Sequence, residues 1–225
     1  NNRIGRYFII WIIFLPGRAK EISIPPGDRK RVSIFIPSLR SDIPGENQIG
    51  MIFPDEQLLT SDRVAYMGQP LALVLADDDR CAREAAKKVK TTIDTFTPLL
   101  DPREAAAEEE FFHPPRTFRI GDTSSVWKDC KHIFAGTAET GGQEHLCLEP
   151  QSALAIPGEH DGVRIWSATQ SPTVVQKAIA TVLDLPMNRV EVDVARIGGG
   201  FGGKESQATP YAAMAALGAF MVKRP

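Results

Sequence analysis

The sequence predicts an α+β protein of two domains, and three observations lead to this fold class. Apolar, strand-like segments are followed by segments with helical periodicity. An acidic stretch flanked by prolines, Pro98 to Pro115, separates two such regions. A run of glycines after Ile197 joins a strand-like segment to a long apolar helix-like one. We therefore expect domains of residues 1–105 and 106–225.

The first domain begins with short β-rich segments. Phe8 to Leu15 is an apolar run that we interpret as a buried strand, because a membrane span needs about twenty residues. No small-residue cleavage pattern follows it, which argues against a secretory signal. Ile22 to Ile36 contains further short strands around a Pro-Pro-Gly break, and Ile43 to Asn47 reads as a turn.

A strand and a helix complete the first domain. Arg63 to Ala76 is strongly apolar and predicts a single strand. Asp79 to Ile93 predicts a helix that buries one apolar face and exposes three lysines. This face comprises Cys81, Ala82, Ala85, Ala86, Val89 and Ile93.

The second domain is predicted to alternate strands and helices. The expected elements are a short helix from Gly121 to Cys130, strands at His132–Glu139, Ser152–Pro157 and Val163–Thr169, and a helix ending near Asp184. That last helix has Ser171 as its expected N-cap and Pro172 as its first residue. Gln170 therefore lies between a strand end and a helix start, as the glycine run does one unit later, and we expect the two to converge on one site.

Composition excludes several kinds of partner. The 225 residues include 26 basic and 28 acidic side chains, so no basic surface for nucleic acid or an anionic membrane is indicated. Cys81, Cys130 and Cys147 lack the spacing of a disulfide framework, a zinc site or an iron–sulfur site. Reduced thiols in a cytoplasmic protein are the expectation, and no side chain is predicted to bind a metal.

The glycine run, Gly198 to Lys204, matches two nucleotide-binding patterns incompletely. As a dinucleotide fingerprint it lacks the acidic residue about twenty positions on. As a phosphate-binding loop it has Glu205 where a Ser or Thr should hold magnesium. Glycines still allow close approach of a ligand to backbone N–H groups, and a flexible turn is the alternative from pattern alone.

Four segments together resemble the xanthine dehydrogenase and aldehyde oxidase family of molybdenum hydroxylases. Ile197 to Ser206 is similar to the family's molybdopterin-contacting loop, and Gly141 to Glu149 to its GGQEH segment. Trp166 to Thr173 and Val64 to Ala76 are similar to two of its strand motifs. The resemblance covers about residues 41–225, whereas residues 1–40 match poorly. It implies a hammerhead-like α/β domain followed by the N-terminal part of a molybdopterin-binding domain.

The resemblance also implies a site. Gln170 matches the glutamine that hydrogen-bonds an oxo ligand of molybdenum, and Phe201 and Gly202 match residues that contact the cofactor. Glu205 matches a glutamate that binds and polarises purine in xanthine dehydrogenases, where aldehyde oxidases tend to carry an apolar residue. From the residues alone, Gln170 can be a loop residue bonding backbone, Phe201 a core residue, and Glu205 a first-turn helix charge. Lys204 is expected to pack or pair locally.

The implied function is hydroxylation of a purine or related N-heterocycle at a molybdopterin-type molybdenum cofactor. Electrons would pass through [2Fe–2S] centres to FAD on partner subunits or in sequence beyond this chain, whose isolated form we expect to be inactive. Three alternatives stay open: an aldehyde oxidase-type hydroxylase, a non-catalytic scaffold, and a nucleotide-binding domain.

Overall fold

The computed structural model describes residues 8–13, 17–23, 32–35 and 43–225. The chain divides into two compact units. One combines Asn1–Phe96 with His145–Pro225, and the other is Thr97–Glu144. The boundary that we place near residue 105 from the sequence stays a prediction.

Nine strands form three sheets of three strands each among the described residues. The strands are β1 (Phe8–Ile13), β2 (Gly17–Ser23), β3 (Val32–Phe35), β4 (Arg63–Val64), β5 (Pro70–Ala76), β6 (Lys90–Thr95), β7 (Ala153–Pro157), β8 (Val163–Ser167) and β9 (Val190–Asp193). The sheet orders are β1-β5-β3, β4-β2-β6 and β7-β8-β9. The α-helices are α1 (Asp79–Lys88), α2 (Pro102–Ala107), α3 (Thr123–Val126), α4 (Pro172–Leu183) and α5 (Ala208–Val222).

Strand β5 is central in its sheet and is buried along its whole length. It pairs antiparallel with β1 and with β3, so that Ala76 lies opposite both Phe8 and Val32. A strand flanked on both edges and covered on both faces needs apolar residues at every position, which explains its unbroken apolar sequence. The strand predicted to begin at Phe8 is confirmed as β1. The predicted burial concerns its side chains, which lie outside what the structure describes.

The single strand predicted from Arg63 to Ala76 is wrong. The chain leaves the extended conformation between β4 and β5, where Gly68 has a φ of 104°. The side-chain oxygen of Gln69 accepts a hydrogen bond of 2.7 Å from the backbone N–H of Ala65 and closes this turn. A side-chain amide that satisfies backbone in this way competes with strand pairing.

The helix predicted from Asp79 to Ile93 is five residues too long. Asp78 caps α1 by accepting a hydrogen bond of 2.7 Å from the N–H of Cys81, and the chain becomes extended at Val89. Residues from Lys90 onward form β6, which pairs antiparallel with β2. Thr91, Thr92 and Ile93 are β-branched, and pairing with β2 outweighs the helical spacing of the apolar residues.

The third sheet and two helices build the core that carries the site. Strand β7 runs antiparallel to β8, and β8 runs parallel to β9, with α4 as the connection between the parallel pair. Helix α4 turns Val175, Ile179 and Val182 inward. Helix α5 is buried over most of its length, and its many alanines allow close packing against α4.

In the unit Thr97–Glu144, the short helix predicted near Gly121 is confirmed as α3 and a following 3₁₀ turn. Asp122 caps α3 by accepting hydrogen bonds from two backbone N–H groups. The strand predicted at His132–Glu139 is wrong, because these residues are exposed and pair with no strand in the described chain. Alternating side chains favour a strand only where a partner strand is available.

The described residues lack two features, a membrane-crossing helix and a metal-binding cluster. None of their helices has the length and apolarity needed to cross a bilayer. Within the same residues, no cluster of three or more His, Cys, Asp or Glu side chains is arranged to hold a metal ion.

Candidate functional site

The loop between β8 and α4 carries Gln170. Strand β8 ends at Ser167 and α4 begins at Pro172, so the predicted proline position is confirmed. Ser171 is the N-cap residue, but its side chain makes no capping hydrogen bond. Its backbone N–H instead donates to the Thr169 hydroxyl oxygen at 3.0 Å, and that hydroxyl donates to the carbonyl of Lys204 at 3.1 Å. The loop between β8 and α4 is therefore bound to the end of the glycine run.

Gln170 itself holds the glycine run through three hydrogen bonds. Its side-chain oxygen accepts from the backbone N–H groups of Gly202, at 3.1 Å, and Lys204, at 3.2 Å. Its own N–H donates to the Lys204 carbonyl at 2.8 Å. The expected convergence of Gln170 on the Phe201–Gly202 backbone is confirmed.

These bonds determine which atom of the Gln170 side-chain amide remains available to a ligand. The oxygen is engaged by two N–H groups, whereas the amide nitrogen has no acceptor among the described residues. The residue is exposed. Gln170 therefore bonds backbone, as the structural alternative requires, and still offers an NH₂ donor to an oxygen-bearing ligand.

Gly200 permits the close approach of the run to Gln170. A Cβ at this position would lie 2.5 Å from Cδ and 2.6 Å from Oε1 of Gln170. Atoms do not approach that closely without a shift, so any larger residue would displace the glutamine side chain. A close backbone approach, rather than general flexibility, explains the glycine here.

Glu149 bonds the first and last residues of the glycine run, Gly198 and Lys204. The sequence did not indicate Glu149 as a site residue. One carboxylate oxygen of Glu149 accepts from the N–H of Gly198 at 2.6 Å and from the Lys204 ammonium at 2.9 Å. The Gly198 N–H and, secondarily, the Lys204 ammonium lower the pKa of Glu149. The only signal in the sequence was its position as the last residue of the segment Gly141 to Glu149.

Lys204 is buried, with 1% of its surface exposed. We expected it to pack or pair locally; its partner is 55 positions away in sequence. In a phosphate-binding loop the corresponding lysine must reach the ligand. The engaged ammonium contradicts that interpretation, and α5 begins only at Ala208 rather than directly after the loop.

The crest of the glycine run, which we define as the segment Gly199 to Phe201, has backbone N–H groups without an acceptor in the described part of the chain. The N–H groups of residues 198, 202, 203 and 204 all donate to protein oxygens. Those of Gly199, Gly200 and Phe201 find no acceptor in the described part of the chain. Gly199, Phe201 and Gly202 have positive φ values of 98°, 51° and 86°, and left-handed residues of this kind occur where successive N–H groups form an anion-binding concavity.

Phe201 and Glu205 both face solvent. Phe201 is 79% exposed, so the alternative that it fills the core is wrong. Glu205 is exposed and lies before α5, whose first turn contains no acidic residue. The alternative of a first-turn helix charge is therefore also wrong.

Comparison with known proteins agrees with this geometry. Residues 104–225 match the family model described as "Molybdopterin cofactor-binding domain". Residues 32–95 match that described as "Aldehyde oxidase and xanthine dehydrogenase, a/b hammerhead domain". The predicted fold class, a hammerhead-like α/β domain followed by the N-terminal part of a molybdopterin-binding domain, is confirmed.

Curated relatives cover most of this chain, which spans only a small part of each. Xanthine dehydrogenase of Emericella nidulans is 39% identical over 172 residues, 76% of this chain and 13% of the relative. Aldehyde oxidase 2 of Cavia porcellus is 35% identical over 210 residues, 92% of this chain and 15% of the relative. Xanthine dehydrogenase 1 of Arabidopsis thaliana is 37% identical over 214 residues, 92% of this chain and 16% of the relative.

Solved structures share the fold. The aldehyde oxidoreductase from Desulfovibrio gigas superposes with a TM-score of 0.83 at 24% identity, over 98% of this chain and 26% of that protein. Quinoline 2-oxidoreductase from Pseudomonas putida 86 gives 0.76 at 19% identity, over 97% of this chain and 30% of that one. With a molybdopterin-domain model covering more than half of its residues, the chain belongs to the xanthine dehydrogenase and aldehyde oxidase family of molybdenum hydroxylases.

Proposed function

We propose that this chain supplies part of the molybdopterin site of an enzyme that hydroxylates a purine of the xanthine or hypoxanthine type, or a related N-heterocycle. The observation that carries the proposal is the pairing of Gln170 with the crest of the glycine run. The two segments meet with their remaining hydrogen-bond donors unpaired among the described residues. Such donors suit a cofactor rich in oxygen atoms.

The residues present fit this cofactor. The Gln170 amide nitrogen and the N–H groups of Gly199, Gly200 and Phe201 are neutral donors, which orient oxygen atoms without competing as metal ligands. The cofactor, when bound, supplies the two-electron redox chemistry of carbon hydroxylation. The exposed ring of Phe201 and the backbone at Gly202 offer a surface for its planar parts.

Glu205 is proposed as the substrate-facing catalytic residue. Its carboxylate is exposed and lies just after the crest of the run. A carboxylate accepts hydrogen bonds from ring N–H groups, which purines have and simple aldehydes lack. This charge is what favours a purine over an aldehyde, since relatives of both names match at similar identity. An aldehyde oxidase-type hydroxylase is the alternative.

Redox partners and a location are also proposed. Electrons taken from the substrate must leave the site, so FAD-binding and [2Fe–2S]-binding subunits or domains are proposed to receive them. The isolated 225 residues are expected to be inactive without those groups. A cytoplasmic location is proposed on the three cysteines, which are free thiols.

The test is substitution of Glu205 in the full-length protein that contains this chain. Glu205→Val should lower kcat/KM for xanthine or hypoxanthine about a hundredfold, because a polar partner of the transition state is lost. Turnover of an aromatic aldehyde should largely survive. Glu159→Val, at an exposed glutamate outside the site, should leave both substrates unaffected. Molybdenum content is measured in every preparation, and equal losses for both substrates would remove Glu205 from the substrate site.

A further inference from the structure

Both ends of the glycine run are fastened to one carboxylate oxygen. Oε2 of Glu149 accepts from the N–H of Gly198, at 2.6 Å, and from the ammonium of Lys204, at 2.9 Å. The backbone N–H of Glu149 also donates to the Gly198 carbonyl, at 3.4 Å. The run from residue 198 to residue 204 is thereby closed into a ring whose crest is the segment Gly199 to Phe201.

The lysine of this ion pair is buried, whereas the glutamate is only partly buried. The Lys204 side chain is 2% exposed and the Glu149 side chain 37% exposed. An ammonium group is costly to remove from water unless it is paired with good geometry. Lys204 is held besides through its backbone, since its N–H donates to Gln170. Both its charge and its backbone are therefore committed to the loop, and neither is available to a ligand.

We propose that Glu149 and Lys204 are positioning residues that lock the ring formed by residues 198–204, so that its open crest N–H groups stay arranged for the cofactor. Neither residue needs to touch the cofactor or the substrate. The part that concerns the cofactor rests on the proposed function, whereas the locking of the loop does not.

Two substitutions in the full-length protein test this role. Glu149→Gln keeps an acceptor for the Gly198 N–H but leaves the buried ammonium without a counter-charge. Lys204→Met removes the ammonium and leaves a partly exposed carboxylate, so it creates no unpaired buried charge and gives a second measurement where the first variant does not fold. Glu159→Gln is the matched control, because that glutamate is exposed and distant in sequence from the loop.

Two readouts that do not depend on turnover are measured. Amide hydrogen exchange of peptides covering residues 197–205 is compared with that of peptides from α4, and molybdenum and extracted pterin are quantified per protein. In both site variants the loop should exchange severalfold faster while α4 is unchanged, and cofactor content should fall about tenfold. The control should match the wild type.

The outcomes separate this inference from the purine proposal. Wild-type exchange in the loop of either folded variant would overturn the locking role, and a loosened loop that retains full cofactor would overturn its link to binding. Absence of purine turnover in the wild type would affect only the choice of substrate, since neither readout uses turnover.

Discussion

Replacing Gly200 by alanine should destabilise the protein through Gln170, 30 positions earlier. The added Cβ would lie 2.5 Å from Cδ of Gln170, which must move and thereby lengthen its hydrogen bonds to Gly202 and Lys204. Two such bonds contribute about 1–3 kcal/mol in total to the free energy of unfolding. Gly200 has no positive φ, so alanine adds no backbone strain and recovers about 0.4–1 kcal/mol from the unfolded state. We expect a net loss of about 1.3 kcal/mol, within a range of about 0 to 2.6 kcal/mol.

A double-mutant cycle tests the cause of that loss. Gln170→Ala removes the atoms that the new Cβ would meet, so in that background Gly200→Ala should no longer destabilise and should keep its gain of about 0.4–1 kcal/mol. Unfolding is followed by urea titration with tryptophan fluorescence, since Trp166 lies in β8 beside the site. Gly142→Ala is the control, because a Cβ there meets no atom within 4 Å. An equal cost of Gly200→Ala with and without the Gln170 side chain would refute the steric argument.

Two further predictions concern the Glu149 carboxylate and the contact of Asn47 with Leu59. The pKa of Glu149 is lowered in the folded state, so its contribution to stability is present above its unfolded value of about 4.3 and is lost as pH falls through the folded pKa. The difference in unfolding free energy between wild type and Glu149→Gln should therefore be constant from about pH 7 to pH 5 and shrink below about pH 4, and a difference independent of pH would contradict it. Asn47→Ala should cost about 1–3 kcal/mol in urea unfolding, because Asn47 bonds both the N–H and the carbonyl of buried Leu59, whereas exposed Asn188→Ala should change nothing.

Local patterns predicted the elements that position the site. The apolar alternation of β8, the proline at the start of α4 and the glycine run after β9 each reflect a conformational preference of a few neighbouring residues. Two loops that each follow a strand of the same sheet lie close together. The contact of Gln170 with the glycine run could therefore be expected before its hydrogen bonds were known.

Interactions between distant residues escaped prediction for a physical reason. Neither the spacing nor the type of Glu149 distinguishes it from a solvent-exposed carboxylate, because its role depends on where Lys204 lies after folding. The same limit explains the helix that ends at Lys88 and the strand missing from 132–139. In each case the presence or absence of a partner strand outweighs the local periodicity.

Glu149 and the segment 197–206 are therefore best understood as one structural unit. A glycine run alone is compatible with a flexible turn, since glycine loses more conformational entropy on ordering than any other residue. Here that cost is offset by Glu149, which bonds both ends of the run, and by Gln170, which bonds Gly202 and Lys204. The backbone N–H groups of Gly199 to Phe201 are thereby left to meet a ligand. A loop held in this way presents its donors already arranged, so a bound cofactor need not repay the entropy of ordering it.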